Sequence, residues 1–508
     1  PGFTGLTGSV RGDEKGGSFR LDSQEAALAL PEIFADPRIE LGKLEARASW
    51  TADQNAIDVH LQEARFENQD AAGVVSGNYT YPHSGQTAGV IDLSARLTRG
   101  QGNAVWRYIP IVAGQEVRDW LRTSLIGGHS NDTTLRLKGD LQHFPFDDGS
   151  GIFEVKGHVQ GANLNYAEGW PQIDNIQGAL EFAGKRMTIT AERASLYGVA
   201  LSQVRAEIPD LGATDPQLSI SGKASGPTAD FLRFIETSPV GEQIGHFTED
   251  MTAQGNGALD LKLLLPLNRL ADARIDGRYQ FNANRIKVDT ELPMLGDVQG
   301  RLQFTGDTLT AEGMRATLLG MPLSFDLKTA GNGAVEVKAA GRLNIADLRS
   351  QWPHALLDHL SGNTTWQGRV LARKKNTELV LESRLQGLSS SLPEPFNKSA
   401  SVAMPLRIER RELPATTANA AGDQIDITLD NTLAARLIRR RDNTAHDTMR
   451  IERGAIAIGT PLALPDKGVL LALNLPRIDV DPWRDLFATP ASTSPGNSDA
   501  ALPSLPLT

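Results

Sequence analysis

Leu259-Asp260-Leu261-Lys262-Leu263 alternates strictly between leucine and a charged residue. Successive side chains of a β-strand point to opposite faces, so this stretch predicts a strand with one apolar face and one wet face. The same alternation recurs along the chain, as at Ile57-Asp58-Val59 and Val335-Glu336-Val337. Parallel strands covered on both faces would be apolar at every position, so the alternation predicts a largely antiparallel sheet.

The composition favours a β-rich protein and argues against a nucleic-acid partner. The 508 residues include 49 glycines and 27 prolines, which leave little room for long helices. The net charge is -10, and phosphate neutralisation needs clustered cations, so no nucleic acid is expected as a partner. The run Arg439-Arg440-Arg441 is the notable basic patch, and we interpret it as a solvated loop or strand end.

The chain contains no cysteine, which excludes disulfides and thiolate metal sites and suits a periplasmic protein. The sequence begins at Pro1 and holds no run of about 18 apolar residues that could span a membrane. We therefore expect the interior of a longer protein, in which a signal or anchor segment would lie outside this sequence.

Four short segments have helical instead of strand periodicity. Apolar residues follow helical spacing in residues 117–125, 231–235 and 345–360. Asn344 suits the N-cap of the third segment, and Asp481-Pro482 is predicted to cap and begin a fourth helix. We expect short amphipathic helices embedded in a strand-rich chain.

A repeat with an offset of 122 positions links two parts of the chain. Residues 178–202 align with residues 300–324 without a gap. Such repeats normally stack into an extended array in which each unit covers its neighbour. The matching pairs are Gly178/Gly300, Leu180/Leu302, Phe182/Phe304, Gly184/Gly306, Arg193/Arg315, Leu196/Leu318, Gly198/Gly320 and Leu201/Leu323.

The predicted division of the chain follows this repeat. Residues 1–90 are expected to form the N-terminal part of a β-groove, and residues 91–211 a first strand-helix-strand groove unit. Residues 212–334 would repeat that unit, and residues 335–487 would form a third unit and the start of the next. Residues 488–508 are rich in Pro, Ser and Ala and are predicted to be a linker.

The predicted helices are too few to cover the apolar faces of all the strands. The sheet therefore either closes on itself as a sandwich or keeps a face for an apolar ligand. Soluble proteins rarely expose apolar patches larger than a few hundred Å², so alternation alone favours the sandwich.

A set of short tracts from about residue 75 onward carries a likeness to a known family. They include Tyr108-Ile109-Pro110, Gly139-Asp140-Leu141, Phe144-Pro145-Phe146, Asn163-Leu164-Asn165-Tyr166, Trp170-Pro171, Ile208-Pro209-Asp210-Leu211, Leu360-Ser361-Gly362, Leu392-Pro393-Glu394-Pro395 and Leu475-Pro476. With these tracts, most of the chain resembles the YhdP branch of the AsmA-like bacterial envelope proteins.

The resemblance implies a long, curled, taco-like β-groove lined with apolar side chains. It also implies a protein anchored in the inner membrane that moves phospholipid to the outer membrane of a Gram-negative envelope. The expected partners are phospholipid acyl chains, both membranes through regions outside this sequence, and envelope proteins. The expected location is the periplasm. With the resemblance, the lipid groove is favoured over a structural sandwich that scaffolds the envelope without lipid.

The residues predicted to line this groove are the aliphatic and aromatic members of the alternating strands. They are Leu93, Leu137, Val155, Leu180, Phe182, Ile220, Leu259, Leu261, Leu263, Leu302, Phe304, Val337, Leu381, Ile425 and Ile427.

No catalytic residue, metal or cofactor is predicted, because the polar motifs have simpler interpretations. Residues 128–132 contain Ser, His and Asp, but adjacent residues cannot converge as a triad without distant partners. His354 and His359 are five apart on a predicted helix, outside the i, i+4 spacing of helical zinc ligands. The acidic pairs Asp147-Asp148 and Glu249-Asp250 resemble solvated turns more than the carboxylates of a polysaccharide-cleaving enzyme.

Tyr166 and Trp170-Pro171 could form a ligand platform. Aromatic side chains near strand ends more often fill a core or a sheet corner. We therefore favour a structural role for them.

Overall fold

A computed structural model describes residues 2–83, 88–244, 246–288, 292–331, 333–373, 376–416, 420–441 and 449–488. It is 60% strand and 12% helical. The prediction of a mainly β fold with a few short helices is confirmed. The predicted linker at 488–508 lies outside the described residues, except for Ala488.

The strands are numbered along the chain. The first fourteen are β1 Gly2–Thr4, β2 Gly8–Asp13, β3 Gly16–Ala29, β4 Arg38–Ala52, β5 Ala56–Glu67, β6 Ala71–Pro82, β7 Val90–Gln101, β8 His129–Ser130, β9 Thr134–Asp140, β10 Ile152–Leu164, β11 Ile173–Ala183, β12 Arg186–Leu196, β13 Val199–Ile208 and β14 Gln217–Pro227. The others are β15 Thr252–Pro266, β16 Arg274–Lys287, β17 Leu295–Thr305, β18 Leu309–Leu318, β19 Met321–Thr329, β20 Val335–Asn344, β21 Leu360–Arg373, β22 Asn376–Ser383, β23 Leu388–Ser390, β24 Leu406–Leu413, β25 Gly422–Leu429, β26 Leu433–Arg441, β27 Met449–Ile458 and β28 Gly468–Leu473.

The chain divides into two compact units. Unit 1 comprises Pro1–Asn284 and Arg301–Leu309, and unit 2 comprises Arg285–Gly300 and Thr310–Thr508. The finer division predicted from the repeat stays a prediction.

Unit 1 contains a long antiparallel ladder. Strand β3 pairs with β1, β2 and β4, and the strands from β4 to β7 pair in chain order. Strand β7 pairs with both β8 and β9, which in turn pair with β10. From β10 to β15 each strand again pairs with the next. The prediction of a largely antiparallel sheet is confirmed here.

Unit 2 contains a similar ladder with two exceptions: β23 pairs with β21 and is left out of the chain order, and the last strand is parallel to its neighbour. Strands β18 to β22 pair in chain order, β22 continues to β24, and β24 to β27 again pair in order, all antiparallel. Strand β28 is parallel to β27. The nine residues 459–467 between them reach far enough, at about 3.3 Å per residue, to carry the chain back before β28 begins.

Six α-helices interrupt the strands among the described residues. They are α1 Gln115–Ser124, α2 Thr228–Glu236, α3 Pro239–Gln243, α4 Ile345–Gln351, α5 Ala355–Asp358 and α6 Val480–Ala488. Asn344 caps α4 as predicted, because its side chain accepts a hydrogen bond from the Ala346 amide at 2.9 Å.

Two helix predictions need correction. The segment 345–360 is not one helix: Pro353 cannot donate to a helical carbonyl, so the chain breaks into α4 and α5, and Leu360 begins β21. The last helix begins at Val480, so Asp481 lies inside it and is not its cap.

The 122-residue repeat is a repeat of strands. Shifting β10 to β13 by 122 positions superposes their boundaries on those of β16 to β19 within one residue. Left-handed backbone also recurs at the same offset, at Asn175 and Asp297 (φ 54° and 47°) and at Tyr197 and Leu319 (φ 52° and 51°). Non-glycine residues rarely adopt this conformation, so the two copies share their local irregularities as well as their strands.

Gly178 in β11 is a close-approach position, because an added Cβ would collide with the carbonyl oxygen of Thr190 on β12. We expect Gly178→Ala to lower the free energy of unfolding in urea by about 1–3 kcal/mol. Gly306→Ala is the control, because nothing lies within 4 Å of its Cβ position. Equal effects of the two substitutions would contradict the steric explanation.

Candidate functional site

In unit 1 the strand register brings the predicted apolar residues into rows. Directly paired residues of neighbouring antiparallel strands have side chains on the same side of the sheet. The rows are Leu93–Leu137–Phe153, then Ala95–Leu135–Val155–Phe182–Met187–Ile208, and then Leu180–Ile189–Ala206–Ile220–Leu263. We call this surface the first apolar face.

The remaining predicted residues of unit 1 adjoin these rows. Leu259 and Leu261 lie on the same side of β15 as Leu263, opposite Ala224 and Gly222 of β14. The ring of Phe304 covers Gly277 of β16, in the place where a Cβ would lie. Leu302 precedes Phe304 by two positions on β17 and therefore shares its side of the strand.

Unit 2 has rows of the same kind. They are Leu327–Val337–Val370–Leu379 and Leu381–Ile408–Ile427–Ala435–Ile456–Leu471, with Ile425 paired to Leu437 beside the second row. We call this surface the second apolar face. The four residues predicted for this unit, Val337, Leu381, Ile425 and Ile427, all lie on it.

The two apolar faces are not covered as a sandwich core would be. All fifteen predicted residues are half-buried, and none is buried. More than half of the buried hydrophobic residues among those described are alanines. A closed sandwich instead buries the large side chains of both inner faces.

Helix α2 covers only an end of the first apolar face. Phe231 of α2 contacts the Tyr279 ring edge-on, with centroids 5.0 Å apart, and that ring covers Gly257 of β15. The amide nitrogen of fully buried Asn284 donates to Thr228 Oγ1 at 2.7 Å, and Thr228 also contacts the Tyr279 hydroxyl. The helix is therefore fixed over the strand ends, while Ile220 and the leucines of β15 stay half-exposed.

Tyr166 and Trp170 join two helices. The Trp170 ring contacts both Tyr166 and Phe234 of α2, each at 5.9 Å, and the indole of Trp120 on α1 donates to the Tyr166 carbonyl. Burial raises the pKa of Tyr166 to about 12, so its hydroxyl stays neutral. These contacts support the structural interpretation of the aromatic residues.

A charged cluster lies on the second apolar face, where only aliphatic side chains were expected. Arg410 pairs with Leu379 on one side and Ile425 on the other. Its Nε donates to Asp423 Oδ2 at 2.7 Å, and Arg439 Nε donates to Asp423 Oδ1 at 2.8 Å. We call Arg410, Asp423 and Arg439 the arginine–aspartate cluster.

This cluster corrects the interpretation of the basic run at 439–441. Arg439 is not a solvated strand end, because it lies in β26 with its side chain 20% exposed. Arg440 points to the other side and binds Glu452. The sequence signal that could have placed these charges on the apolar face is the two-residue period of a strand. Arg439 follows Leu437 by two positions, and Asp423 precedes Ile425 by two.

The structure does not bring together a catalytic triad in residues 128–132 or a metal site at His354 and His359. Ser130 contacts Thr133, and it is His158, not His129, whose ring binds Asp132. His354 is the N-cap of α5 and His359 follows that helix, so the two are not on one helix as expected. Within the described ranges, no three His, Asp or Glu side chains are placed to hold a metal ion.

The acidic pairs occupy turns, as expected. Asp147 forms an ion pair with Lys185, and Asp148 accepts a hydrogen bond from the Ser150 amide at 2.9 Å. Glu249 and Asp250 are exposed.

Comparison with known families identifies the family to which this chain belongs. The family model described as YhdP protein matches residues 1–508. The chain belongs to the YhdP family. A YhdP relative, the intermembrane phospholipid transporter YhdP of Escherichia coli (strain K12), is 24% identical over 428 residues. The match covers 80% of this chain and 32% of that protein, so the chain spans about a third of the length of this YhdP relative.

No solved structure matches this YhdP family member significantly. Among the residues that the structure describes, none of the helices is both long and apolar enough to cross a membrane.

Proposed function

We propose that the two apolar faces carry the acyl chains of phospholipids during transfer between the inner and outer membranes. The observation that carries this proposal is the half-exposure of all fifteen predicted residues, together with the placement of α2 over only an end of the first apolar face. The relative named as an intermembrane phospholipid transporter supports the choice of ligand.

The physical task is to shield acyl chains from water along a path. Each methylene exposed to water costs about 0.8 kcal/mol, so two chains of about 16 carbons approach 25 kcal/mol. A continuous apolar surface removes most of this barrier. The wet face of each strand keeps the protein hydrated, and the mechanism needs no nucleophile, acid–base pair or metal.

The proposal extends to location and organisation. We place the chain in the periplasm of a Gram-negative envelope, as part of a protein anchored in the inner membrane by another segment. Envelope proteins would be further partners. The strand-helix-strand units at 91–211, 212–334 and 335–487 would each contribute a stretch of the lipid path.

A photo-cross-linking residue tests the lipid-binding face in cells. At Leu261 it is expected to capture phospholipid, whereas at Asp260 it is expected to capture at least tenfold less, since adjacent strand residues point to opposite sides. Ile427 and Thr428 provide the matched pair in unit 2. Mass spectrometry of the cross-linked peptides identifies the lipid.

Equal labelling at Leu261 and Asp260 would overturn the assignment of the face. Absence of lipid at both positions, with no lipid extracted from the purified protein, would favour a scaffold.

A further inference from the structure

The arginine–aspartate cluster lies toward one end of strands β24 to β26, on the side of the second apolar face. In the row Leu379–Arg410–Ile425, the charged side chain of Arg410 lies between two aliphatic side chains. Asp423 and Arg439 pair directly with each other, and Asp423 is two positions from Ile425 along β25. Charged groups therefore replace aliphatic ones at this end of the face.

The charges of the cluster are bound to one another. Arg439 donates through Nε to Asp423 Oδ1 and through Nη2 to Oδ2, and Arg410 Nε also donates to Oδ2. The Asp423 side chain is 1% exposed, whereas those of Arg410 and Arg439 are 25% and 20% exposed. Burial alone would raise the pKa of Asp423, but the hydrogen bonds and charges of Arg439 and Arg410 hold it below its ordinary value. The cluster is ionised at neutral pH, and both arginine side chains keep part of their contact with water.

The second apolar face is asymmetric about the row that contains Ile408 and Ile427. On the side away from the cluster, the next residues on the same face are aliphatic, directly paired and half-buried: Leu406, Leu429 and Leu433. On the other side, the strands lead into the arginine–aspartate cluster. The apolar surface therefore continues in one direction and ends in the other.

An acyl chain that lay over the cluster would lose free energy. It would remove the remaining water from the two arginine side chains and offer no hydrogen bond in return. On the aliphatic side the same chain exchanges water for apolar contacts. Stability does not require the charges, because well-packed apolar residues of similar volume commonly replace a buried ion cluster without loss of stability.

We propose that the arginine–aspartate cluster is a side wall of the lipid path, which keeps acyl chains on the rows of Ile408 and Leu406 and off the strand ends beyond the cluster. This inference rests on the proposed function. Arg410, Asp423 and Arg439 are then positioning residues, since they act by excluding acyl chains and do not bind the lipid.

Two isoleucines of β27 lie on the two sides of this wall. Ile456 pairs with Ala435, in the row of Ile408, whereas Ile451 pairs with Arg439. Both isoleucines are half-buried and lie on the side of the second apolar face. Alternation alone predicts that lipid reaches both of them, whereas the side wall predicts that it reaches only Ile456.

The experiment places a photo-cross-linking residue at Ile451 or at Ile456 of the 508-residue chain. Phosphatidylethanolamine is delivered from cyclodextrin; it has no net charge, so a change in the charge of the protein does not attract or repel it as a whole. Capture at Ile451 is expected to be about tenfold lower than at Ile456. In the variant R410M/D423L/R439M, capture at Ile451 is expected to rise to within about threefold of that at Ile456. Mass spectrometry of the cross-linked peptides measures both.

The matched control removes charges from the opposite side of the same strands. Asp426 and Arg436 pair directly and form an ion pair there. The variant D426L/R436M is expected to leave the tenfold difference between the two isoleucines unchanged. If capture at Ile451 rises as much in this control as in the triple variant, loosening of the strands explains the rise and the side wall is wrong.

The outcomes separate the inference from the proposed function. Equal capture at Ile451 and Ile456 in the unsubstituted protein would overturn the side wall and leave the lipid-binding face intact, and this comparison needs no folded variant of the cluster. Capture at neither position would overturn both. An unchanged tenfold difference in a folded triple variant would overturn the assignment of the wall to these three side chains.

Discussion

Leu261→Asp is expected to lower phospholipid capture at Ile220 by about 100-fold. Ile220 pairs with Leu263, so a cross-linker at Ile220 reports on the same part of the first apolar face. An unpaired carboxylate on this face must be desolvated by the passing acyl chains, at a cost of several kcal/mol. Aspartate is too short to move its charge to the wet face, as a lysine could.

Lys262→Asp is the matched control. It introduces the same residue at the next position, which is exposed on the other side of β15. Capture at Ile220 is expected to stay within twofold. Circular dichroism and urea denaturation establish that both variants are folded. If Leu261→Asp unfolds unit 1 while Lys262→Asp does not, Leu261 belongs to a packed core and the lipid-binding face is wrong at this position.

Asp423→Ala is expected to produce the largest loss of stability, about 3–5 kcal/mol, because it leaves two largely buried guanidinium groups without their carboxylate. Hydrogen exchange in β24 to β26 measures the loss locally. Asp426→Ala is the control, since Asp426 lies on the same strand but the opposite side and binds Arg436. That substitution is expected to cost no more than about 1 kcal/mol. Equal losses would contradict a buried cluster.

The cluster also predicts a direction for pH dependence. The pKa of Asp423 is lowered in the folded chain, so its contribution to stability is fully present above the unfolded value of about 3.9. The contribution disappears as the pH falls through the folded pKa. Protection of β24 to β26 should therefore fall on acidification below about pH 4. In the variant R410M/D423L/R439M this acid-dependent loss should be smaller, and the variant is expected to be about as stable as the unsubstituted protein at neutral pH.

The one-sided strands could be predicted from alternation because each strand needs only its own residues to specify its two faces. The rows could not. They depend on register, and irregularities such as the one at Gln203, with φ 52° in β13, shift the pairing by one position. The position of Arg410 two residues after Ile408 did carry the necessary signal. Its interpretation required knowing that Asp423 is opposite the end of the same strand.

For the helices, too, local sequence pattern predicts the elements but not their distant contacts. The helical periods of α1 and α2 were visible in sequence, and Pro353 could have indicated the break between α4 and α5. The contact of Trp170 with Phe234 joins residues far apart in the chain, so local pattern could not reveal it. The parallel direction of β28 likewise depends on the path of residues 459–467, which alternation does not constrain.

The pairing of each strand from β1 to β15 with a strand one or two places away along the chain has a consequence for biogenesis. β-Proteins usually fold slowly because their contacts join distant residues, whereas this order keeps contacts local. A chain that emerges N-terminus first during synthesis can add each strand to the edge left by the one before it. The order of the strands in the ladder is then also the order in which they assemble. At each stage a single strand has the unpaired edge that could aggregate.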